Sequence, residues 1–146
     1  MTKWAAVLLC AGLALAACGN VSLASATKSW ITQSGFRSNL PTLTRDAQHS
    51  ATELRDVHAN ANDLHTVCAV LDVDSLAANS SLPTPDRQTT ALLSKAYDDL
   101  GAGANTCYNA VSNPHARTLA LTLLARGMAA LSEGTARLNV ATGSAP

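Results

Sequence analysis

The stretch that decides the fold is LPTLTRDAQHSATELRDVHANANDLHTVCAVLDVDSLAA, residues 40–78. Its small and apolar residues recur at alternating spacings of three and four, which is the repeat of one face of an α-helix. No part of the chain shows the apolar and polar alternation of a β-strand, so the pattern predicts an all-α fold. The residues of this first stripe are Leu40, Leu43, Ala47, Ser50, Leu54, Val57, Ala61, Leu64, Cys68, Leu71, Ser75 and Ala78.

The ends of the first stripe are predicted from its capping residues. Asn39 can cap the helix, and Pro41 suits a first turn because its missing N–H would have no partner there. One helix over residues 40–78 would be about 60 Å long, which exceeds its neighbours. We therefore expect a bend or break near residues 58–62, where Asn60 or Asn62 can cap a restarted helix. One helix or two both remain open at this point.

Two more helical stripes follow, separated by proline-containing breaks. Leu82-Pro83-Thr84-Pro85-Asp86 ends the first stripe, since each proline favours extended backbone in the residue before it. Asn113-Pro114 ends the second helix and starts the last one, with Asn113 as its cap. The second stripe is Leu93, Tyr97, Leu100, Ala104, Cys107 and Val111, and the last is Leu121, Leu124, Met128, Leu131, Thr135 and Leu138.

These stripes predict an antiparallel bundle of three long helices, the first of them bent or broken. Trp30, Ile31 and Phe36 predict a short N-terminal helical segment that plugs one end of the bundle. In the last helix, Ala120, Gly127 and Gly134 recur every seven residues, which allows a neighbouring helix to approach closely. Two further pattern-based predictions concern single residues: Gly101 and Gly103 weaken the second helix by about 1 kcal/mol each, and Glu133 pairs with Arg137 one turn later.

The first 18 residues are typical of a bacterial lipoprotein export signal. Lys3 supplies the positive start, residues 4–14 are apolar, and Leu15-Ala16-Ala17-Cys18 matches the lipobox that precedes the acylated cysteine. We therefore expect residues 1–17 to be a cleaved signal peptide and Cys18 to be lipidated. The protein would then be anchored by lipid to the extracytoplasmic face of the cell membrane.

Two alternatives to the lipoprotein interpretation were weighed. An uncleaved membrane anchor is disfavoured because no apolar run continues after Cys18. An ordinary secreted protein cut after Ala17 would not need the cysteine. Cys10 is a poor lipidation site because the bulky Leu9 precedes it.

The rest of the chain has the size and composition of one domain. We expect a flexible tether at residues 18–28, the helical bundle at 29–142 and a disordered tail at 143–146. The full chain has ten lysines and arginines against ten aspartates and glutamates. A nearly neutral chain gives no electrostatic reason to expect nucleic acid or an anionic membrane surface as a partner.

Cys68 and Cys107 are the two cysteines left for the exported domain. They lie too far apart in sequence for a CxxC redox motif, and disulfides persist outside the membrane. Each lies on the apolar stripe of its helix, so we expect a disulfide in the seam between the two helices; two free thiols are the alternative. Pairing them leaves an offset of roughly 15 Å along the helices, so residues 79–86 should run along the bundle.

No motif for catalysis or metal binding emerges. His49, His58, His65 and His115 lack an HExxH pair or an ExxH set with inward glutamates, and no GxSxG or SxxK occurs. We predict neither a metal site nor a cofactor, and no enzyme activity. The leading interpretation is an interaction or ligand-binding module whose partners are the membrane and an envelope protein or small ligand.

Two other functions stay open. A small-molecule carrier would need a cavity inside the bundle, which the small residues Ala104, Gly127 and Gly134 would permit. An extracytoplasmic enzyme without a recognisable motif is the weaker of the two.

The chain also resembles a family of uncharacterised actinobacterial lipoproteins. The resemblance covers residues 28–112 and rests on Trp30, the leucine-spaced helix and three short motifs with Cys107. It implies a small extracytoplasmic helical domain with a disulfide, and it implies no activity. The motifs are Leu64-His65-Thr66-Val67-Cys68, Leu82-Pro83-Thr84-Pro85-Asp86 and Ala96-Tyr97-Asp98-Asp99-Leu100.

Overall fold

The structure is a computed structural model that describes residues 21–144. These residues form five α-helices and contain no strand, which confirms the predicted all-α fold. The helices are α1 (Leu23–Gln33), α2 (Phe36–Arg55), α3 (Ala61–Asn79), α4 (Arg87–Tyr108) and α5 (Pro114–Ala141). The predicted signal peptide and Cys18 lie outside the described residues.

The first stripe consists of two helices rather than one. α2 ends at Arg55 and α3 begins at Ala61, with Asn60 as its N-cap. The Asn60 side-chain oxygen accepts a hydrogen bond from the Asn62 N–H at 2.8 Å, as expected for a restarted helix. The two helices fold back on each other, and the Ser50 hydroxyl of α2 donates to the Val67 carbonyl of α3 at 3.2 Å.

The predicted start of this stripe is wrong. α2 begins at Phe36, directly after Gly35, which has a positive φ of 64° that favours glycine. Pro41 therefore lies inside the helix rather than in its first turn. The periodic pattern missed this turn because three of its residues are polar and exposed: Arg37, Ser38 and Asn39.

Helices α2 to α5 form an antiparallel bundle in which the main contacts run between neighbouring helices, with a smaller contact between α2 and α4. α2 contacts α3 and α5, and α4 contacts the same two helices. The Arg117 guanidinium near the start of α5 donates to the Leu54 carbonyl near the end of α2, which fixes their opposite directions. Four helices of 19 to 28 residues thus replace the three predicted, because the first stripe folds back at residues 56–60.

The closest helix contact is between α4 and α5, and glycines make it possible. A Cβ atom at Gly127 would lie 2.7 Å from Leu100 Cγ, and one at Gly134 would lie 2.7 Å from Leu93 Cδ2. In the other direction, a Cβ at Gly103 would lie 2.8 Å from Leu124 Cδ2. The predicted close approach at the seven-residue glycine repeat is confirmed. We call this contact the α4–α5 seam.

The connection between α3 and α4 runs along the bundle, as the cysteine positions predict. Cys68 is bonded to Cys107, and the Asn105 amide donates to Asp72 at 3.1 Å. If the two helices keep the alignment that these contacts set, the end of α3 lies about ten residues along α4 from its first residue. This offset is roughly 15 Å at helical rise. Residues 80–86 cover this distance.

α1 closes one end of the bundle. It packs against α2 and α5, and the Trp30 indole N–H donates to the Ser81 carbonyl at 2.9 Å. Thr27 is fully buried in this helix. The flexible tether predicted for residues 18–28 is therefore wrong from Leu23 onward, because apolar and hydroxyl side chains of this stretch pack on the bundle.

The C-terminal end of α5 is also more ordered than predicted. Thr142 is buried, the Gly143 N–H donates to the Val140 carbonyl, and the Ser144 N–H donates to the Asn139 carbonyl. These bonds close the helix in place of the next turn. The predicted disordered tail is therefore wrong for Gly143 and Ser144, while residues 145–146 lie outside the described residues.

Candidate functional site

The disulfide predicted from the two stripes is present. Cys68 of α3 and Cys107 of α4 are bonded, with their Cα atoms 5.8 Å apart and both side chains fully buried. A buried disulfide is shielded from external thiolates, so exchange requires opening of the domain. This bond is a structural link between α3 and α4.

An aromatic pair lies beside the disulfide on the surface. The His65 imidazole of α3 stacks on the Tyr108 ring of α4, with ring centroids 4.3 Å apart and the planes 19° from parallel. This stack lies one residue from Cys107 and three from Cys68 in the chain. Like the disulfide, it joins α3 and α4.

The remaining histidines are separated from one another. His49 lies 3.7 Å from Glu53 on α2, and His58 lies in the loop before α3, so it does not share a helix with His65. His115 is in the first turn of α5. Between residues 21 and 144 no group of three or more His, Cys, Asp or Glu residues is arranged to hold a metal ion.

Asp86, which caps α4, accepts four hydrogen bonds through its carboxylate. Its carboxylate accepts from the Thr89 N–H at 2.9 Å and the Thr89 hydroxyl at 2.7 Å. It also accepts from Arg137 Nε at 2.9 Å and Nη2 at 3.1 Å. The Arg137 and Thr89 hydrogen bonds hold the pKa of Asp86 well below its usual range. The predicted Glu133–Arg137 pair is therefore wrong, since Arg137 binds Asp86.

A contrasting acidic site lies between α2 and α3. Burial, and then the neighbouring carboxyl of Asp46, raise the pKa of Asp74 above its usual value. Asp46 is itself buried and bonded to Arg45 Nε at 3.0 Å. The carboxylate form of Asp74 is therefore disfavoured here, whereas Asp86 is stabilised as a carboxylate.

The largest run of exposed apolar side chains on one helix lies on α3. Val70, Val73 and Leu76 are 45%, 63% and 63% exposed. They recur every three residues, so they share the side of α3 that faces away from the core residues Leu71 and Ser75. We call these three residues the α3 outer face. The sequence contained its signal, because α3 carries apolar residues on both sides of the predicted stripe.

A second surface feature is an open groove of about 550 Å³ at the α1 end of the bundle. It lies between α1, the start of α2 and the end of α5. Its polar wall has two cations and four hydroxyl groups: Lys28, Arg37, Thr32, Ser38, Thr142 and Ser144. We call this feature the end groove.

The interior of the bundle gives little support to the carrier alternative. A carrier would need a ligand cavity beside Gly127 and Gly134. That space is occupied by Leu100 and Leu93. Ala104, the third small residue of that argument, is fully buried. Gly127 and Gly134 therefore make room for neighbouring leucines.

Comparison with known proteins adds no family. No protein-family model, curated protein or solved structure matches the chain. Among the helices described between residues 21 and 144, none combines the length and apolarity required to cross a membrane.

Proposed function

We propose that this protein is a lipid-anchored, extracytoplasmic interaction module and that the α3 outer face binds a protein of the cell envelope. The observation that carries the proposal is the exposure of Val70, Val73 and Leu76 on one side of α3. Exposed apolar side chains grouped on one face are typical of protein interaction sites.

The pattern of α3 also distinguishes it from an ordinary surface helix. Its inner face supplies Leu64, Cys68 and Leu71 to the core, while its outer face adds three further apolar residues. A helix with apolar residues on two opposite faces usually packs against neighbours on both. In this bundle α3 packs only against α2 and α4, so a partner would complete its burial.

The α3 outer face is held rigidly, which favours binding. The disulfide ties α3 to α4, and the Asp72–Asn105 hydrogen bond joins the same two helices one turn further along. A surface that is already ordered loses little conformational entropy when a partner binds.

The anchor in this proposal is Cys18, as the lipobox and the resemblance to actinobacterial lipoproteins imply. α1 begins at Leu23, only five residues after Cys18. An extended link of that length spans at most about 17 Å. The module would thus be held close to the membrane surface, where its partner is expected.

Site-specific crosslinking in intact cells tests the binding face. A photoreactive amino acid at Val73 of the full chain should give a defined adduct, and the same group at exposed Thr122 of α5 should not. Leu76→Ser in the Val73-labelled chain should abolish the adduct. Equal crosslinking from both positions, or no adduct from Val73, would contradict the proposal.

The anchor has its own test in metabolic labelling with an alkyne-tagged fatty acid. The wild-type chain should incorporate the label and fractionate with membranes after a salt wash. Cys18→Ala should lose the label, and Cys10→Ala should keep it, since Cys10 is the other cysteine of the leader. Label retained in Cys18→Ala would show that another residue is modified.

A further inference from the structure

The charge distribution along the chain is one-sided near its start. No aspartate or glutamate precedes Asp46, whereas Lys28, Arg37 and Arg45 all lie before it. Lys28 and Arg37 line the end groove. In residues 21–144 neither forms an ion pair, unlike Arg45, which is bonded to Asp46.

The end groove lies where the chain would leave the membrane. Lys28 is five residues into α1 from Leu23, or about 7.5 Å at helical rise. Exposed Val21 and Leu23 lie between this lysine and Cys18 in the sequence. An anchored Cys18 would therefore place the groove within about 25 Å of the lipid, the sum of this helical rise and the extended link.

The electrostatics of the groove favour an anion. Its described lining contains no acidic residue. The end of α5 also borders it, but the carbonyls of Leu138, Asn139 and Val140 accept hydrogen bonds from residues 142–144, which reduces the negative potential of that helix end. Asp86, which is bound to α5 through Arg137, has its charge balanced by that arginine.

We propose that the end groove binds the head-group phosphate of an anionic phospholipid in the membrane that holds the anchor. This inference rests on the proposed lipidation of Cys18. Lys28 and Arg37 supply the positive charge, and Arg37 can bind phosphate oxygens through two N–H groups. The volume of the groove is in the range of sites for small ligands. Such binding would orient the module, with α1 towards the membrane.

The chain provides an internal control for a test of this site, because Lys95 is the one other lysine that follows Cys18. The mature, anchored protein is reconstituted into vesicles of phosphatidylcholine alone or with added phosphatidylglycerol, neither of which has an amine. Both lysines are then acetylated briefly and quantified by mass spectrometry. Lys28 should react about fivefold more slowly in the anionic vesicles, while the rate at Lys95 stays unchanged.

Variants and a free anion complete the experiment. Arg37→Gln should remove the protection of Lys28, whereas Arg55→Gln at the opposite end of α2 should retain it. Inorganic phosphate added to the phosphatidylcholine vesicles should leave Lys28 reactive; protection there would overturn the assignment to a lipid and indicate a free-phosphate site.

The failures of the anchor and of the groove are distinguishable. A protein that does not float with phosphatidylcholine vesicles lacks the anchor, which overturns both proposals. A protein that floats but has equally reactive Lys28 in both vesicle types keeps the anchor and overturns only the head-group site.

Discussion

The α4–α5 seam and the α3 outer face are opposites in how they use apolar residues. In the seam, Gly127 and Gly134 bring two helices so close that Leu100 and Leu93 fill all the space between them. On the outer face, Val73 and Leu76 are each 63% exposed and belong neither to the core nor to the partly buried residues packed against it. The difference shows that close packing of apolar residues is complete between α4 and α5, whereas the outer side of α3 leaves apolar side chains exposed.

Two buried or partly buried aspartates, one at α4–α5 and one on α3, differ in whether the fold favours their ionised form. Asp86 joins the start of α4 to α5 through Arg137, and its ionised form is favoured. Asp74 lies between α2 and α3, where burial and Asp46 disfavour its ionised form. Ionised Asp86 thus stabilises the folded protein, whereas ionised Asp74 destabilises it.

The largest effect is expected from the disulfide, which links the two sides. Replacing both Cys68 and Cys107 by alanine should lower the free energy of unfolding by about 4 kcal/mol, given the length of the loop that it closes. Urea unfolding followed by circular dichroism measures this difference. In the native wild type both sulfurs should resist dithiothreitol because they are fully buried. Thiols that alkylate in the folded protein would contradict this.

A pair of glycine variants tests the close packing of the seam. Gly127→Ala should lower the free energy of unfolding by about 3 kcal/mol, because the new Cβ would meet the Leu100 backbone nitrogen at 3.0 Å. Gly101→Ala is the matched control, since its nearest neighbours are Ser75 Cβ at 3.8 Å and Asp72 Oδ1 at 3.9 Å. It should gain about 0.5–1 kcal/mol from higher helix propensity. Changes of the same sign in both variants would refute the seam as described.

Two aspartate variants sharpen the electrostatic contrast. At pH 7 Asp86→Asn should lower the free energy of unfolding by about 2 kcal/mol, because a charged acceptor is lost. Asp74→Asn should raise it slightly, because an unfavourable charge is removed. The depressed pKa of Asp86 means that its contribution is present above about pH 4 and is lost as the pH falls further.

The pH dependence of Asp74 has the opposite sign. Its pKa is raised in the folded protein, so its penalty is absent below about pH 4 and develops as the pH rises towards neutrality. Chemical unfolding of both variants at pH 3 and pH 7 measures the two effects. The difference between each variant and the wild type should shrink at pH 3, and a difference that grows would contradict the assignment.

The smallest stability effect is expected on the α3 outer face. Val73→Ser and Leu76→Ser should each change the free energy of unfolding by less than about 0.5 kcal/mol, since the side chains are already solvated. Leu71→Ala, a fully buried position on the same helix, should lose about 3 kcal/mol. A large loss in the serine variants would assign the outer face to folding rather than to binding.

Several parts of the molecule were predictable because the relevant information is local. Asn60 and Asn113 cap helices as their residue type suggests, and both cysteines lie where their stripes placed them. The glycine repeat of α5 predicted a close neighbour, which is α4. The end groove was missed because it depends on how three helices meet in space. The apolar residues of the α3 outer face are visible in the sequence, but their exposure depends on which surfaces the other helices leave uncovered.

The sequence by itself determined the helical class, most helix breaks, the disulfide and the small residues of the seam. These follow from spacing, proline and cap chemistry within a few residues of chain. Only the tertiary structure decided that α2 and α3 fold back into separate bundle helices and that Arg137 pairs with Asp86, 51 residues away. The physical reason is that helix register and pairing are set by side chains from distant segments, which no local repeat specifies.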